Sequence, residues 1–262
     1  MKFLEQWRRA KLPEADEAVQ ISEEDGIRSL HLGSETVQSS MRISAPNDLV
    51  LAYTRAMMCF LLFVPEPSRV SMIGLGGGSL AKFIFHRLPN SRIVAIENNA
   101  QVIVAAHRQF HVPQHDVRLN IVQADGAVWV KQHPASSDVL LVDGYDGRRQ
   151  VNELCSVNFY AAAAAALAPH GVLVVNLWSN DARFDELVQR IEAAFHGQIV
   201  LTPALRHGNI IAIAFVEAGG PIEWRSLEAC AAQLERQYGL EFGRFVGGMK
   251  RLNPHTDKWL LL

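Results

Sequence analysis

Apolar residues follow two different periods along the middle of the chain. Five short apolar runs, each typical of a buried strand, are separated by stretches in which apolar residues share one face of a helix. We predict strands at residues 69–74, 92–97, 118–123, 139–143 and 172–177, and helices at residues 80–88, 100–110, 127–132 and 157–167. Strands that alternate with helices in this way predict a doubly wound parallel sheet.

The segment after the fifth strand predicts how the sheet ends. A helix at residues 184–195 is followed by two strands, 198–202 and 209–216, which only residues 203–208 separate. Because a parallel crossover needs about a dozen residues, this pair should form an antiparallel hairpin. Five parallel strands followed by such a pair are the layout of class I S-adenosylmethionine-dependent methyltransferases. The predicted fold is therefore α/β and Rossmann-like, with a seven-stranded sheet.

The two ends of the chain follow other patterns. Residues 27–32 and 36–41 alternate between apolar and polar and predict a small β-hairpin, and residues 48–63 predict a helix that prolines stop. In the tail we predict one helix, residues 226–237, and then irregular chain. We divide the chain into an N-terminal hairpin region with its connecting helix, residues 1–64, and a Rossmann-like catalytic domain with a C-terminal extension, residues 65–262.

Composition excludes several classes of protein. The formal net charge of −2 gives no electrostatic reason to expect a nucleic-acid partner. The apolar run 56–64 is too short to span a bilayer, so we expect no membrane association. Cys59, Cys155 and Cys230 lie far apart and in no metal-binding spacing, so we predict reduced thiols, no metal and a cytoplasmic protein.

A glycine-rich turn follows the first predicted parallel strand. Residues 70–79 read Val-Ser-Met-Ile-Gly-Leu-Gly-Gly-Gly-Ser and lead into a predicted helix. Without a Cβ atom, glycine lets the backbone approach a ligand closely, so the turn predicts a nucleotide or nucleoside site. Its candidate ligand-binding residues are Gly74, Gly76, Gly77 and Gly78; the alternative is a plain tight turn.

Acidic residues stand at the ends of the next three strands. Glu97 follows the second strand and can accept hydrogen bonds from ribose hydroxyls, and Asp125-Gly126 follows the third and can hold an adenine edge. Asp143 and Asp146 follow the fourth, where two carboxylates can face a cationic amine and take its proton. Each has a simpler alternative, such as a helix cap or a solvated turn. Together they favour an adenosine-type ligand.

These residues resemble the polyamine aminopropyltransferases, the spermidine synthase family, over roughly residues 25–216. The matching features are a glutamine in the N-terminal hairpin, a tyrosine in the following helix, the glycine turn, the strand-end acids and an Asn-Phe-Tyr segment. In this sequence they are Gln38, Tyr53, residues 73–78, Glu97, Asp125-Gly126, the Asp143-Gly144-Tyr145-Asp146 loop and Asn158-Phe159-Tyr160.

The resemblance implies a reaction and a role for each residue. An aminopropyl group would pass from decarboxylated S-adenosylmethionine to putrescine or a related small amine, with methylthioadenosine as by-product. Asp143 would activate the amine, which Asp146, Tyr53, Gln38 and Tyr145 would help to bind. The donor, or intact S-adenosylmethionine, would contact the four glycines, Ser79, Glu97, Asp125 and Gly126. A homodimer is also implied.

Departures from the family pattern leave two alternatives open. Ser79 stands where the family has an acid, and the missing charge would favour intact S-adenosylmethionine, and hence a small-molecule methyltransferase. Arginines at positions 55, 148 and 149 would repel an amine, which favours a non-catalytic, nucleoside-binding member of the fold. Further departures are Thr54, beside Arg55, and the segment Asn176-Leu177-Trp178-Ser179.

Overall fold

The computed structural model describes residues 18–114, 116–145, 151–205 and 208–262. Its strands are β1 Val19–Glu24, β2 Ile27–Leu32, β3 Val37–Arg42, β4 Arg69–Ile73, β5 Arg92–Glu97, β6 Leu119–Gln123, β7 Ser137–Val142, β8 Leu167–Trp178, β9 Ile199–Pro203, β10 Asn209–Phe215, β11 Ile222–Glu223 and β12 Trp259–Leu260. Its α-helices are α1 Ala52–Met57, α2 Ser79–Arg87, α3 Ala100–Gln109, α4 Gly126–Gln132, α5 Val157–Ala166, α6 Phe184–Ala194, α7 Trp224–Tyr238 and α8 Phe242–Leu252. Met58–Leu62 and Asn152–Cys155 form 3₁₀ helices.

A seven-stranded sheet forms the centre of the molecule, in the order β6-β5-β4-β7-β8-β10-β9. Strands β4 to β8 are parallel, and β10 is antiparallel to both of its neighbours. This topology confirms the predicted fold class, including the antiparallel hairpin at its end. Since Ile73 is in register with both Ile96 and Val142, the carboxyl ends of β4, β5 and β7 lie level with one another.

Both faces of the sheet are covered, which explains why its strands read as continuous apolar runs. Four successive residues of the central strand β7, Val139 to Val142, are completely buried. Two apolar clusters lie on the opposite faces, one built around α1, α2, α7 and α8 and the other around α5 and α6. The site-bearing strand ends are therefore set in a rigid support.

The N-terminal region has one strand more than the predicted hairpin. β1, β2 and β3 form a three-stranded antiparallel sheet, and most residues of β1 are exposed. The sequence of β1, Val-Gln-Ile-Ser-Glu-Glu, has too few apolar residues to signal a strand. The predicted helix 48–63 is also shorter than expected, because the α-helix spans only Ala52–Met57 and continues as the 3₁₀ helix.

The C-terminal tail is ordered rather than irregular, so that prediction was wrong. After α7, the chain forms α8, and β12 returns to pair with β11. Helix propensity does not predict α8, because this helix contains three glycines. Phe242, Phe245, Val246 and Met249 nevertheless have helical spacing and are buried.

No helix in the described ranges is long and apolar enough to cross a membrane. The division of the chain at residue 64 stays a prediction.

Candidate active site

A cavity of about 1280 Å³ opens at the carboxyl ends of the parallel strands. Its walls come from the ends of β4 to β8, from β3 of the N-terminal sheet and from α1. The strand order reverses between β4 and β7, and such a switch point is where open α/β sheets bind ligands. The predicted strand-end residues Glu97, Asp125 and Asp143 all line this cavity.

Two glycines of the turn after β4 are at the cavity wall. Gly74 has a φ of +91°, and a Cβ atom there would lie 2.3 Å from the backbone oxygen of Asp143. Gly76 has a φ of +52° and lines the cavity. These positions require glycine because the backbone is left-handed and, at Gly74, because two strand ends nearly touch.

The other two glycines pack closely against neighbouring side chains, and their predicted contact with a ligand stays a prediction. A Cβ atom on Gly77 would lie 2.8 Å from the Phe110 ring and from the Ser39 Oγ atom. On Gly78, the N-cap of α2, it would lie 2.2 Å from a methyl group of Val112. Neither residue lines the cavity. Their missing side chains instead let α2 approach the N-terminal sheet and the segment after α3.

Glu97 is held rigidly at the end of β5. Its Oε2 atom accepts a hydrogen bond from the Leu75 amide at 3.0 Å, and its Oε1 atom accepts one from the Asn99 amide at 2.9 Å. Each carboxylate oxygen has two lone pairs, so both oxygens retain acceptor capacity. This arrangement fits the predicted recognition of ribose hydroxyls and links Glu97 directly to the glycine turn.

Asp125 caps a helix and also lines the cavity. Its Oδ1 atom accepts a hydrogen bond from the Val128 amide at 2.8 Å and caps α4, while the residue lines the cavity. Gly126 also lines the cavity, and a Cβ atom there would lie 2.4 Å from Ile73. The cap therefore fixes the carboxylate at the wall where an adenine edge was predicted to bind.

Ser79 opens α2 and faces both the cavity and the N-terminal sheet. Its Oγ atom lies 3.2 Å from the Ser39 Oγ atom and donates to the Ser40 carbonyl at 3.3 Å. The hydroxyl that stands in place of the family's acid thus connects α2 to β3.

Asp143 lies at the centre of a partly buried hydrogen-bond network. Its Oδ1 atom accepts a hydrogen bond from the Asn176 side-chain amide at 2.9 Å. Burial raises the pKa of the Asp143 carboxyl, and hydrogen bonds from Asn176 and from the Tyr53 hydroxyl oppose that rise. The group is thereby a stronger base than an exposed aspartate while it is still supported in its ionised form.

Two tyrosines flank this carboxylate. The Tyr53 hydroxyl donates to the Gln38 backbone carbonyl at 3.2 Å, and the Tyr145 hydroxyl donates to the Asn176 backbone carbonyl at 3.2 Å. Burial, and then the charge of Asp143, raises the pKa of both phenols. Both hydroxyls therefore stay protonated near neutral pH and can donate hydrogen bonds. Gln38 lines the cavity beside them.

Arg55 does not face an amine site, which removes one argument for a non-catalytic protein. Its guanidinium donates to the Glu241 carboxylate at 3.1 Å and to the Val50 carbonyl at 2.8 Å. It therefore holds α1 against the C-terminal extension. Asp146, Arg148 and Arg149 lie outside the described residues, so their predicted roles stay predictions.

Sequence reasoning missed several polar residues of the site. Glu153 and Asn209 line the cavity, and Asn176, noted only as a departure from the family pattern, bonds to Asp143. Lys82 is completely buried next to the site, where it donates to the Pro46 carbonyl at 2.7 Å and to the Phe110 carbonyl at 2.6 Å. Asn209 stands at the start of a late strand, so no local pattern marks it.

Four carboxylates line the cavity: Glu97, Asp125, Asp143 and Glu153. Among the described residues that line it, there is no lysine, arginine or histidine. The described wall is thus acidic and offers hydroxyls, amides and carboxylates to a ligand. Such a wall attracts positive charge.

Sequence comparison relates the chain to one enzyme family. Residues 50–216 match the family described as spermine/spermidine synthase domain. The chain is also similar to a polyamine aminopropyltransferase of Chromobacterium violaceum, with 45% identity over 249 residues and 95% of either chain covered.

Solved structures with a similar fold include two spermidine synthases. A probable spermidine synthase from Corynebacterium glutamicum superposes with a TM-score of 0.70 at 19% identity, covering 88% of this chain and 91% of that one. A spermidine synthase in complex with the transition-state analogue AdoDATO gives a TM-score of 0.60 at 21% identity, covering 76% and 74%. At such identities these structures bear on the fold alone.

Proposed function

Because this chain belongs to the spermine/spermidine synthase domain family, we propose that it transfers an aminopropyl group from decarboxylated S-adenosylmethionine to putrescine or a related amine. The observation that carries this proposal is the charge of the cavity. Four carboxylates line it, and the described part of its wall has no basic side chain.

The charge of the cavity bears directly on the donor. Decarboxylated S-adenosylmethionine has a sulfonium and an ammonium group, whereas the intact molecule also has a carboxylate. A carboxylate placed near Asp143 would meet a like charge, with no cationic partner among the described lining residues. Ser79 removes one acid from this wall, and that substitution alone favours the runner-up, a small-molecule methyltransferase. Asp143, which lies outside the nucleoside half of the site, favours the decarboxylated donor.

The nucleoside half of the site supports binding of an adenosyl group. The glycine turn brings backbone to the cavity at Gly74 and Gly76, and Glu97 offers two oriented oxygens to ribose hydroxyls. Asp125 and Gly126 take the adenine edge. Methylthioadenosine, which retains the adenosine part after transfer, should bind to the same residues.

Asp143 is the group that we assign to proton transfer. An aliphatic amine is protonated near neutral pH and cannot attack until it loses a proton. Asp143 first binds the ammonium and then takes one proton on a carboxylate oxygen. The freed nitrogen lone pair forms the new C–N bond to the aminopropyl carbon as the C–S bond breaks. The bonding pair stays on sulfur, which becomes a neutral thioether.

Tyr53, Gln38 and Tyr145 would position the acceptor around Asp143. The two hydroxyls and the Gln38 carbonyl are polar groups without charge, and they surround the carboxylate on the cavity wall. We assign Asp146 to the same acceptor site from the sequence. We also propose that the protein acts as a homodimer in the cytoplasm.

Calorimetric titration with both donors tests this function. We expect decarboxylated S-adenosylmethionine to bind more tightly than the intact molecule, and methylthioadenosine to bind as well. Tighter binding of intact S-adenosylmethionine would favour the methyltransferase instead. Failure of all three to bind would leave only a protein that has the fold without its activity.

A further inference from the structure

A chain of side-chain amides connects strand β10 to Asp143. The Asn209 Nδ2 atom donates to the Asn176 Oδ1 atom at 3.0 Å, and the Asn176 Nδ2 atom donates to the Asp143 Oδ1 atom at 2.9 Å. Asn176 is 3% exposed and Asn209 is 9% exposed. Asn209 and Trp178, two residues beyond Asn176, are directly opposite each other in the antiparallel pair of β10 and β8.

Both hydrogen bonds favour the same orientation of the Asn176 amide. A primary amide has a donor end, the NH₂ group, and an acceptor end, the carbonyl oxygen. Because Asn209 donates to the acceptor end of Asn176, the donor end of Asn176 is directed at Asp143. If Asn176 were turned round, its carbonyl oxygen would face the Asp143 carboxylate and its NH₂ group would face the Asn209 NH₂ group. Both contacts would be repulsive.

We propose that Asn209 is a positioning residue for the transfer reaction, because it fixes the orientation of the Asn176 amide that in turn orients the Asp143 carboxylate. This inference rests on the proposed function of Asp143 as the proton acceptor. Asn209 acts through Asn176 and does not itself receive the proton.

A purely structural role for Asn209 makes a different prediction. Asn209 begins β10, and its backbone carbonyl accepts a hydrogen bond from the Ala204 amide at 2.8 Å. If only packing mattered, both variants would lower the fraction of folded protein and leave the kcat of the folded enzyme and its pH profile in place. Positioning predicts a loss of kcat in the folded protein that is larger for Asn209→Asp, because an introduced carboxylate accepts from Asn176 and reverses its amide.

The experiment measures kcat, KM and the pH profile of kcat for the full-length protein with decarboxylated S-adenosylmethionine and putrescine. We expect Asn209→Ala to lower kcat about tenfold, as for the loss of one hydrogen bond in a charged network. Asn209→Asp should lower kcat further and move the acid limb of the profile to higher pH. The KM for the donor should change little in either variant. Asn180→Asp, an exposed change at the same edge of the sheet, is the charge control and should leave the profile in place.

A double-mutant comparison covers the case in which one variant folds poorly. In an Asn176→Ala background, Asn209→Ala should have no further effect on kcat, since the residue through which it acts is gone. The proposal is overturned if Asn209→Asp is milder than Asn209→Ala, if the pH profile does not move, or if the two alanine effects multiply. A wild-type chain that transfers nothing would overturn the proposed function as well.

Discussion

At the scale of single residues, the site depends on a partly buried acid that lies among neutral polar groups. Asp143 accepts a hydrogen bond from Asn176, the nearby Tyr53 hydroxyl supports its ionised form, and no positively charged side chain pairs with it among the described residues. A lysine or arginine there would have lowered the basicity of the carboxylate and repelled an amine. Burial instead makes Asp143 more basic, which suits a group that must take a proton.

Replacing Asp143 tests its chemical role. We expect Asp143→Asn to lower kcat by about 10²–10⁴-fold, the usual effect of losing a general base, and to leave methylthioadenosine affinity unchanged. The folded protein should lose no stability, because an asparagine oxygen still accepts from Asn176 and a buried charge is removed. Steady-state kinetics, calorimetry and thermal unfolding measure the three effects. A kcat within about tenfold of the wild-type value would rule out the proton-acceptor role.

The pH dependence of kcat/KM for the amine tests the same environment without a mutation, because that quantity reports the free enzyme. The folded-state pKa of Asp143 is raised, so the carboxyl becomes protonated, and unable to accept a proton, at a higher pH than an exposed aspartate would. We expect kcat/KM to fall as the pH is lowered through that raised pKa, and Asp143→Asn to lack this limb. A limb at the ordinary pKa of aspartate, about 4, would contradict the described burial.

Gly74 is the residue at which the backbone approach is tightest. We expect Gly74→Ala to destabilise the protein by about 3 kcal/mol, since a Cβ atom would collide with the Asp143 carbonyl and the left-handed φ would be strained. Urea unfolding measures this. Gly219→Ala is a matched control, because a Cβ atom there has no heavy atom within 4 Å. Equal stability of the two variants would show that the strand ends separate easily.

The sequence predicted site residues where a strand ends in a recognisable side chain, as at Glu97, Asp125 and Asp143. It did not predict which glycines line the cavity, because Gly77 and Gly78 are distinguished only by their packing against Phe110 and Val112. Nor could it predict that the Arg55 guanidinium forms an ion pair with Glu241, which lies far along the chain. Contacts between distant segments leave no local pattern.

At the scale of elements, the position of α2 is set by polar contacts with the N-terminal region. Ser79 bonds to the Ser40 carbonyl, and Lys82, one turn further on, donates to the carbonyls of Pro46 and Phe110. Burial lowers the pKa of Lys82 from 10.5 to about 8. Because α2 continues directly from the glycine turn, these contacts also fix the nucleoside wall.

Replacing Lys82 tests this connection. We expect Lys82→Met to cost about 2 kcal/mol of stability, since two buried carbonyls lose their donor, while the exposed change Lys131→Met costs little. Above about pH 8, Lys82 is neutral in the folded protein and protonated in the unfolded chain, so unfolding takes up a proton. The contribution of Lys82 to the free energy of unfolding therefore increases as the pH rises from about 8 towards 10.5. Urea unfolding at several pH values should show the gap between wild type and Lys82→Met widening. A gap that narrows would contradict this account.

Element prediction succeeded where apolar periodicity was strong and failed where it was diluted. The five parallel strands were found from their apolar runs, although β6, at the edge of the sheet, is only partly buried. β1 is largely exposed and α8 contains glycines, so the composition of these two segments does not predict a strand or a helix. Tertiary packing determines both: Gly248 lets α8 lie against Pro203, where a Cβ atom would be 2.6 Å from the ring.

At the scale of the whole molecule, the preference for cations is local to the cavity. The chain has a formal net charge of only −2, so its overall field attracts amines weakly. The four carboxylates of the cavity wall concentrate negative charge at the strand ends instead. The negative charge of that wall is complementary to a donor and an acceptor that are both cationic.

Mass analysis of the amine after incubation with putrescine and each donor tests the central claim most directly. We predict that decarboxylated S-adenosylmethionine adds an aminopropyl group to putrescine and yields methylthioadenosine, while intact S-adenosylmethionine gives no transfer. Asp143→Asn, assayed alongside, should form the product at least about a hundredfold more slowly. A methyl group added from intact S-adenosylmethionine, with no product from the decarboxylated donor, would contradict the account.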